Sequence, residues 1–89
     1  MKGPIEIGFK PKFIREMRKL SDELREEVKE AIRRFRDNPH DPALRVHKLK
    51  GRLSGSMSFS VNYAYRVVFE YERSGMVILL TVGDHDVYR

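Results

Sequence analysis

Apolar and polar residues alternate at the start of the chain. Ile5, Ile7 and Phe9 fall on one side of an extended segment and Glu6 falls on the other, a pattern typical of a half-buried strand. The alternation therefore predicts a first β-strand over residues 4–9.

Apolar residues then recur at helical spacing in two successive segments. Pro11 suits the first turn of a helix, and the apolar positions of this first helix are Phe13, Ile14, Met17 and Leu20. Ser21 is a suitable N-cap for a second helix that ends near Asn38, and the acidic residues directly after Ser21 favour the helix dipole. The apolar stripe of the second helix comprises Leu24, Val28, Ala31, Ile32 and Phe35.

The second half of the chain has the pattern of short strands. Two prolines and an asparagine predict a loop without regular structure over residues 38–45. Alternating, β-branched and aromatic residues after this loop predict strands separated by turns that contain glycine, serine or asparagine. The predicted strands cover residues 46–49, 57–61, 65–72 and 76–82.

This element order predicts an α+β fold, β-α-α-β-β-β(-β), that forms a single domain over residues 1–89. We expect a twisted, mainly antiparallel sheet with a helical hairpin packed on one face and the other face left uncovered. An uncovered, basic face would suit an extended polyanion.

Composition narrows the range of partners. The formal net charge of +5 favours nucleic acid, an anionic membrane surface or an acidic protein. The chain has no cysteine, which excludes disulfides and thiolate metal sites. Its apolar runs are far shorter than the roughly 20 residues that span a bilayer. We therefore expect a cytoplasmic protein that does not bind membranes.

The first candidate for chemistry is the basic segment 45–52. Along a strand, alternation places Arg45 and His47 on one side and Lys48 and Lys50 on the other. The alternative is an edge strand whose lysines prevent pairing with another chain. Read on its own, the segment favours that alternative.

Arg66 and the last six residues are the other candidates. Arg66 lies in an apolar strand, so it must either reach an open face or pair with an acid, Glu70 or Glu72. His85 lies between two aspartates, which favour its protonated, acid form, although a polar C-terminal tail is the plainer reading. The sequence contains no metal-ligand spacing, phosphate loop or nucleophile elbow, so we expect neither a metal nor a cofactor.

Three segments together resemble the RelE/ParE toxin superfamily. They are residues 47–51 (HKLKG), 65–70 (YRVVFE) and 83–89 (GDHDVYR), in the element order of that superfamily. RelE-like and YafQ-like members cleave mRNA in the ribosomal A site, whereas ParE-like members lack the catalytic residues and poison DNA gyrase. The histidines and the strand arginine resemble the nuclease branch.

The resemblance implies a role for each matching residue. His47 corresponds to the general base or its support, Arg66 to the phosphate clamp and His85 to the general acid, while Tyr88 would stack on a base or assist. Metal-free RNA cleavage requires these groups, because a base takes the 2′-hydroxyl proton and an acid protonates the departing 5′-oxygen.

Further basic residues would contact RNA, and two features leave alternatives open. The RNA contacts are expected at Arg45, Lys48, Lys50 and Arg52. YafQ-like proteins also use a His and an Asp between the second and fourth strands, where this chain has Ser60, Val61, Asn62 and Tyr65. RelE-like relatives use lysine and arginine in place of a histidine base, so Lys48 and Lys50 stay alternatives to His47.

The resemblance also implies partners. We expect a cognate antitoxin, acidic where it docks, and mRNA on the ribosome. Two other functions are compatible with the pattern: a ParE-like inhibitor of gyrase, and an inactive module that only binds its antitoxin.

Overall fold

A computed structural model describes residues 5–51 and 55–84. The strands are β1 (Ile7–Phe9), β2 (His47–Lys48), β3 (Met57–Ser60), β4 (Arg66–Tyr71) and β5 (Val77–Gly83). The α-helices, which lie between β1 and β2, are α1 (Pro11–Lys19) and α2 (Asp22–Asp37). The elements follow one another in the predicted order.

The five strands form one open sheet in the order β1-β5-β4-β3-β2. β1 pairs with β5 in parallel, and every other neighbouring pair is antiparallel. The predicted small α+β fold with a mainly antiparallel sheet is confirmed. The position of β1 beside the last strand is a feature that only the three-dimensional structure reveals.

The helical hairpin is held together at its turn by capping groups. The Ser21 hydroxyl accepts a hydrogen bond from the Leu24 N–H at 3.2 Å, as the sequence predicts. The Arg25 guanidinium donates to the carbonyl oxygens of Leu20 at 2.8 Å, Met17 at 3.1 Å and Arg18 at 3.2 Å. Carbonyls at a helix C-terminus lack partners within the helix, so Arg25 of α2 satisfies the end of α1.

Aromatic side chains form the centre of the core between the hairpin and the sheet. The ring of Phe35 from α2 stacks on Phe59 of β3, with ring centroids 4.8 Å apart, and packs against Phe69 of β4 at the same distance. All three residues are fully buried. Because an aromatic side chain buries a large apolar area, this trio contributes a major part of the force that joins α2 to the sheet.

A β-bulge in β5 decides which of its last residues enter the core. Phe69 pairs with Leu79 and Val68 pairs with Thr81, so Leu80 is passed over. The extra residue shifts the alternation by one position. As a result Val82, opposite Val67, belongs to the helix-side core.

Two expectations from the sequence need correction. The loop over residues 38–45 contains a short 3-10 helix, Pro42–Leu44, because the Asp41 carboxylate accepts a hydrogen bond from the Ala43 N–H at 2.9 Å. The sheet face away from the helices is not uncovered at its centre, since Ser58 and Val68 point to that face and are buried.

Candidate nucleic-acid interface

Strand pairing brings two of the predicted site residues to the same face of the sheet. His47 of β2 lies opposite Ser58, which lies opposite Val68 of β4. Directly paired residues point to the same face, and so do residues two apart on a strand. His47 and Arg66 therefore both belong to the face away from the helices, with Cα atoms roughly 12 Å apart by the usual strand spacings.

Arg66 is also placed beside the end of the last strand. It is the first residue of β4 and pairs with Gly83, the last residue of β5. Asp84 follows Gly83 and is exposed. The predicted acid, His85, is the next residue in sequence, and it lies outside the described residues, as do Arg52 and Tyr88.

The Arg66 guanidinium is held by main-chain oxygens. It donates hydrogen bonds to the carbonyls of Asn62, of Tyr65 at 2.9 Å and of Tyr63 at 3.1 Å. Carbonyls fix the position of the group and leave its charge in place. Three of the five guanidinium N–H donors are accounted for by these bonds.

The alternative raised by the sequence, an ion pair of Arg66 with Glu70 or Glu72, is not present among the described residues. The Glu70 carboxylate accepts a hydrogen bond from the Ser56 hydroxyl at 3.0 Å. The ion pairs between described residues all lie within α2, and none includes Arg66. Within the described part of the chain, no ion pair joins Arg66 to a carboxylate.

The turn that presents these carbonyls is itself rigidly built. The Asn62 side-chain oxygen accepts hydrogen bonds from the N–H groups of Ala64 at 2.9 Å and Tyr65 at 2.8 Å. Its amide nitrogen donates to Glu27 of α2 at 3.2 Å. Such an Asx turn fixes the backbone locally, so the oxygens that hold Arg66 are already in position.

Arg45 joins Arg66 at a cleft of about 230 Å³, which Ser60, Asn62 and Tyr63 also line. Arg45 follows the 3-10 helix and has φ 50° and ψ 46°, a left-handed conformation that is unfavourable for a residue with a Cβ atom. The conformation turns the chain from the 3-10 helix into β2. Two arginines from distant parts of the sequence thereby line one cleft.

His47 is exposed, and its Nδ1 lies 2.9 Å from the carbonyl oxygen of Arg45. A carbonyl oxygen only accepts hydrogen bonds, so the hydrogen of this contact must be on Nδ1. The neutral ring then carries its lone pair on Nε2. This is the tautomer in which Nε2 can accept a proton from another group.

The two candidate lysines do not lie on the sheet face that carries His47 and Arg66. Lys48 pairs with Met57, whose side chain packs against the helix-side core, so Lys48 points away from the face that carries His47. Lys50 is exposed beyond the end of β2. Within residues 45–50 the structure has a strand only at His47–Lys48, and Arg45 has a left-handed conformation. Of the alternation predicted along this segment, only the opposite orientation of His47 and Lys48 is therefore present.

Sequence reasoning missed one residue of this region. Tyr63 is 92% exposed at the tip of the turn between β3 and β4. The only sequence signal is an aromatic residue directly after the turn-forming Asn62.

Two negative findings apply to residues 5–51 and 55–84. No group of three or more His, Asp or Glu side chains in these ranges could hold a metal ion. No helix in these ranges is both long and apolar enough to cross a membrane.

Comparison with known proteins identifies the fold. No protein-family model and no curated protein sequence matches the chain. The YoeB/ParE toxin from Agrobacterium tumefaciens is 16% identical with a TM-score of 0.74, and the match covers 91% of this chain and 99% of the toxin.

Two complexes contain similar chains. The match in the E. coli DinJ-YafQ toxin-antitoxin complex is 11% identical, covers 94% of this chain and 96% of that one, and has a TM-score of 0.74. The match in the YoeB-YefM complex from Staphylococcus aureus is 17% identical, covers 93% and 99%, and has a TM-score of 0.69. The resemblance to RelE/YafQ-like toxins is thus confirmed at the level of the fold.

Proposed function

We propose that this protein is the toxin of a type II toxin-antitoxin system and that it inhibits translation by cutting mRNA on the ribosome. The observation that carries the proposal is the state of Arg66. Its guanidinium is fixed by three carbonyls, forms no ion pair among the described residues and lies beside the end of β5. A fixed cation is the group that a crowded, negative phosphate requires in its transition state.

Cleavage would proceed without a metal through two histidines. Nε2 of His47 takes the proton of the 2′-hydroxyl, and the 2′-oxygen attacks phosphorus to form a 2′,3′-cyclic phosphate. The bond from phosphorus to the 5′-oxygen breaks, and His85 protonates that oxygen. The remaining N–H donors of Arg66 bind the phosphate oxygens while charge accumulates on them.

The position of His47 and the place of His85 in the sequence support this division of roles. His47 shares a sheet face with Arg66, and its Nδ1 contact with the Arg45 carbonyl is compatible with the tautomer that a base needs. Lys48, the alternative base, points away from that face. His85 follows Gly83 by two residues, a length of chain that reaches at most about 7 Å, and Gly83 pairs with Arg66.

The other basic residues would bind RNA away from the reacting phosphate. Arg45 lines the cleft that contains Arg66 and is suited to the next phosphate of the strand. Lys48, Lys50 and Arg52 would contact RNA farther along the chain or on the ribosome. Tyr88 would stack on a base beside the scissile bond.

A cognate antitoxin is part of the proposal, as in the DinJ-YafQ toxin-antitoxin complex. The two helices and β1 leave an apolar groove of about 370 Å³, whose apolar lining is Phe9, Phe13, Ile14, Met17 and Ile32. Basic residues, among them Arg18 and Lys29, also line it. This combination suits an amphipathic segment with acidic margins, in agreement with the acidic antitoxin that the resemblance implies.

The test is induced expression of wild type, His85→Ala and Arg66→Gln, with primer extension on a reporter mRNA. Codon-registered breaks in the wild type that disappear in both variants support the proposal. Growth inhibition that is equal in all three proteins and occurs without mRNA breaks contradicts the proposal and supports inhibition of gyrase instead. Normal growth with unopposed wild type would identify an inactive antitoxin-binding module.

A further inference from the structure

The aromatic ring of Tyr63 is exposed to solvent, where it does not stabilise the fold by burial of apolar surface. Its side chain is 92% exposed, more than that of any other large hydrophobic or aromatic residue that the structure exposes among residues 5–51 and 55–84. Exposed apolar surface gains nothing from folding. The position of the ring therefore invites a functional explanation.

The ring is coupled to the arginine that we assign to phosphate. Arg66 donates to the carbonyl oxygen of Tyr63 itself at 3.1 Å. The residue before it, Asn62, closes the turn with two hydrogen bonds and is tied to α2 through Glu27. The backbone of Tyr63 is thus fixed relative to the guanidinium, so little order is lost when a ligand contacts both.

The surroundings of Tyr63 have the chemistry of a nucleotide subsite. The cleft beside it is lined by two arginines and by the polar residues Ser60 and Asn62. Proteins that bind single-stranded nucleic acid combine cations that follow the backbone with aromatic rings on which bases stack. Here both parts meet within one turn and the start of one strand.

We propose that Tyr63 is a stacking platform for one base of single-stranded RNA, next to the phosphate bound by Arg66 and Arg45. This inference rests on the proposed function and adds a binding residue to it. Every base has an aromatic face, so the contact raises affinity without selecting one base. Loss of the ring should weaken RNA binding about 5- to 150-fold, the equivalent of stacking one base.

The affinity test uses a short, mixed-sequence, single-stranded RNA with 2′-O-methyl groups, which lacks the attacking hydroxyl. Tyr63→Ala and Tyr63→Leu should bind it more weakly, while Tyr63→Phe should bind like wild type. The slope of log K against log salt should stay unchanged in all three, because no charge is removed. Wild-type affinity in Tyr63→Ala overturns the inference.

A spectroscopic test distinguishes stacking from mere proximity. The chain contains no tryptophan, so Tyr63→Trp introduces a single tryptophan, whose emission a stacked base quenches. Tyr71→Trp is the matched control, because Tyr71 is half exposed at the end of β4, eight residues from Tyr63 and on the opposite sheet face from Arg66. Quenching at position 63 alone supports the inference, and an equal response at both positions, or none at either, overturns it.

Failure of this inference is distinguishable from failure of the proposed function. If wild type and Tyr63→Ala cut reporter mRNA equally well, the stacking role is wrong and the nuclease proposal stands. If wild type makes no cuts but RNA quenches the tryptophan emission of Tyr63→Trp, the result supports the RNA-binding subsite and contradicts the cleavage proposal. If Tyr63→Ala loses antitoxin binding but keeps RNA affinity, the ring serves a protein partner and the inference is overturned.

Discussion

The carboxylate of Glu16 on α1 accepts hydrogen bonds from the Thr81 hydroxyl on β5, with oxygen–oxygen distances of 2.7 and 2.9 Å. Its Oε1 also accepts from the Val82 N–H at 3.1 Å. β1 pairs with β5 only as far as Leu79, so Glu16 provides the acceptor that a neighbouring strand would provide farther along. A helix residue thereby anchors the strand end that lies beside Arg66.

Replacing Glu16 should loosen this strand end. Glu16→Ala leaves the Thr81 hydroxyl and the Val82 N–H without their acceptor, which should lower the free energy of unfolding by about 1–3 kcal/mol. Glu16→Gln keeps a carbonyl oxygen and should lose less. Urea denaturation of the two variants and wild type measures the difference, and equal stability of Glu16→Ala and wild type would show that the contact is not maintained in solution.

Arg25 should be the most important surface arginine for stability. Arg25→Ala removes the donors to three carbonyls at the end of α1, and hydrogen bonds from a charged group contribute about 1.5–3 kcal/mol in typical cases. Arg33→Ala is the matched control, since the described partner of Arg33 is Glu30 on the surface of the same helix, and it should change stability by less than about 0.5 kcal/mol. Thermal unfolding of both variants tests the contrast. Similar losses in the two would contradict the assigned role.

Arg66→Lys should be nearly as defective in cleavage as Arg66→Gln. Lysine keeps the charge but cannot reach three carbonyls at once, so the cation would no longer be fixed. The expected loss is about 2.7–4 kcal/mol in the barrier, by analogy with removal of one oxyanion-hole donor. Single-turnover cleavage on programmed ribosomes measures it, with Arg73→Lys on the exposed turn after β4 as the control. Near-wild-type cleavage by Arg66→Lys would mean that charge alone suffices.

The identity of the general base can be decided with three variants. His47→Ala should lower the cleavage rate about 10²–10⁴-fold, the usual contribution of general base catalysis. His47→Asn retains a side-chain donor for the Arg45 carbonyl but has no basic nitrogen, so it should stay equally slow. Lys48→Ala should have a smaller effect, because Lys48 points away from the face of Arg66. A larger defect in Lys48→Ala than in His47→Ala would assign the base to the lysine.

Local patterns in the sequence determined the elements and their inward faces. Ser21 and the apolar stripe ending at Phe35 define α2 because capping and helical periodicity act within a few residues. Alternating, β-branched and aromatic residues likewise predicted the later strands, whose Phe59, Val67 and Phe69 lie in the core of the structure. The basic segment and Arg66 were found as candidates because their charge contradicts the pattern around them.

Only the tertiary structure decided how these elements form a site. The Glu16–Thr81 contact joins residues 65 positions apart, and the pairing of β1 with β5 joins the two ends of the described chain. The bulge at Leu80 moves Val82 into the core. The three carbonyls around Arg66 depend on the path of one turn. None of these features follows from periodicity, because periodicity specifies only which face of an element a residue occupies. Register, strand order and hydrogen-bond partners depend instead on contacts between segments that are far apart in the sequence.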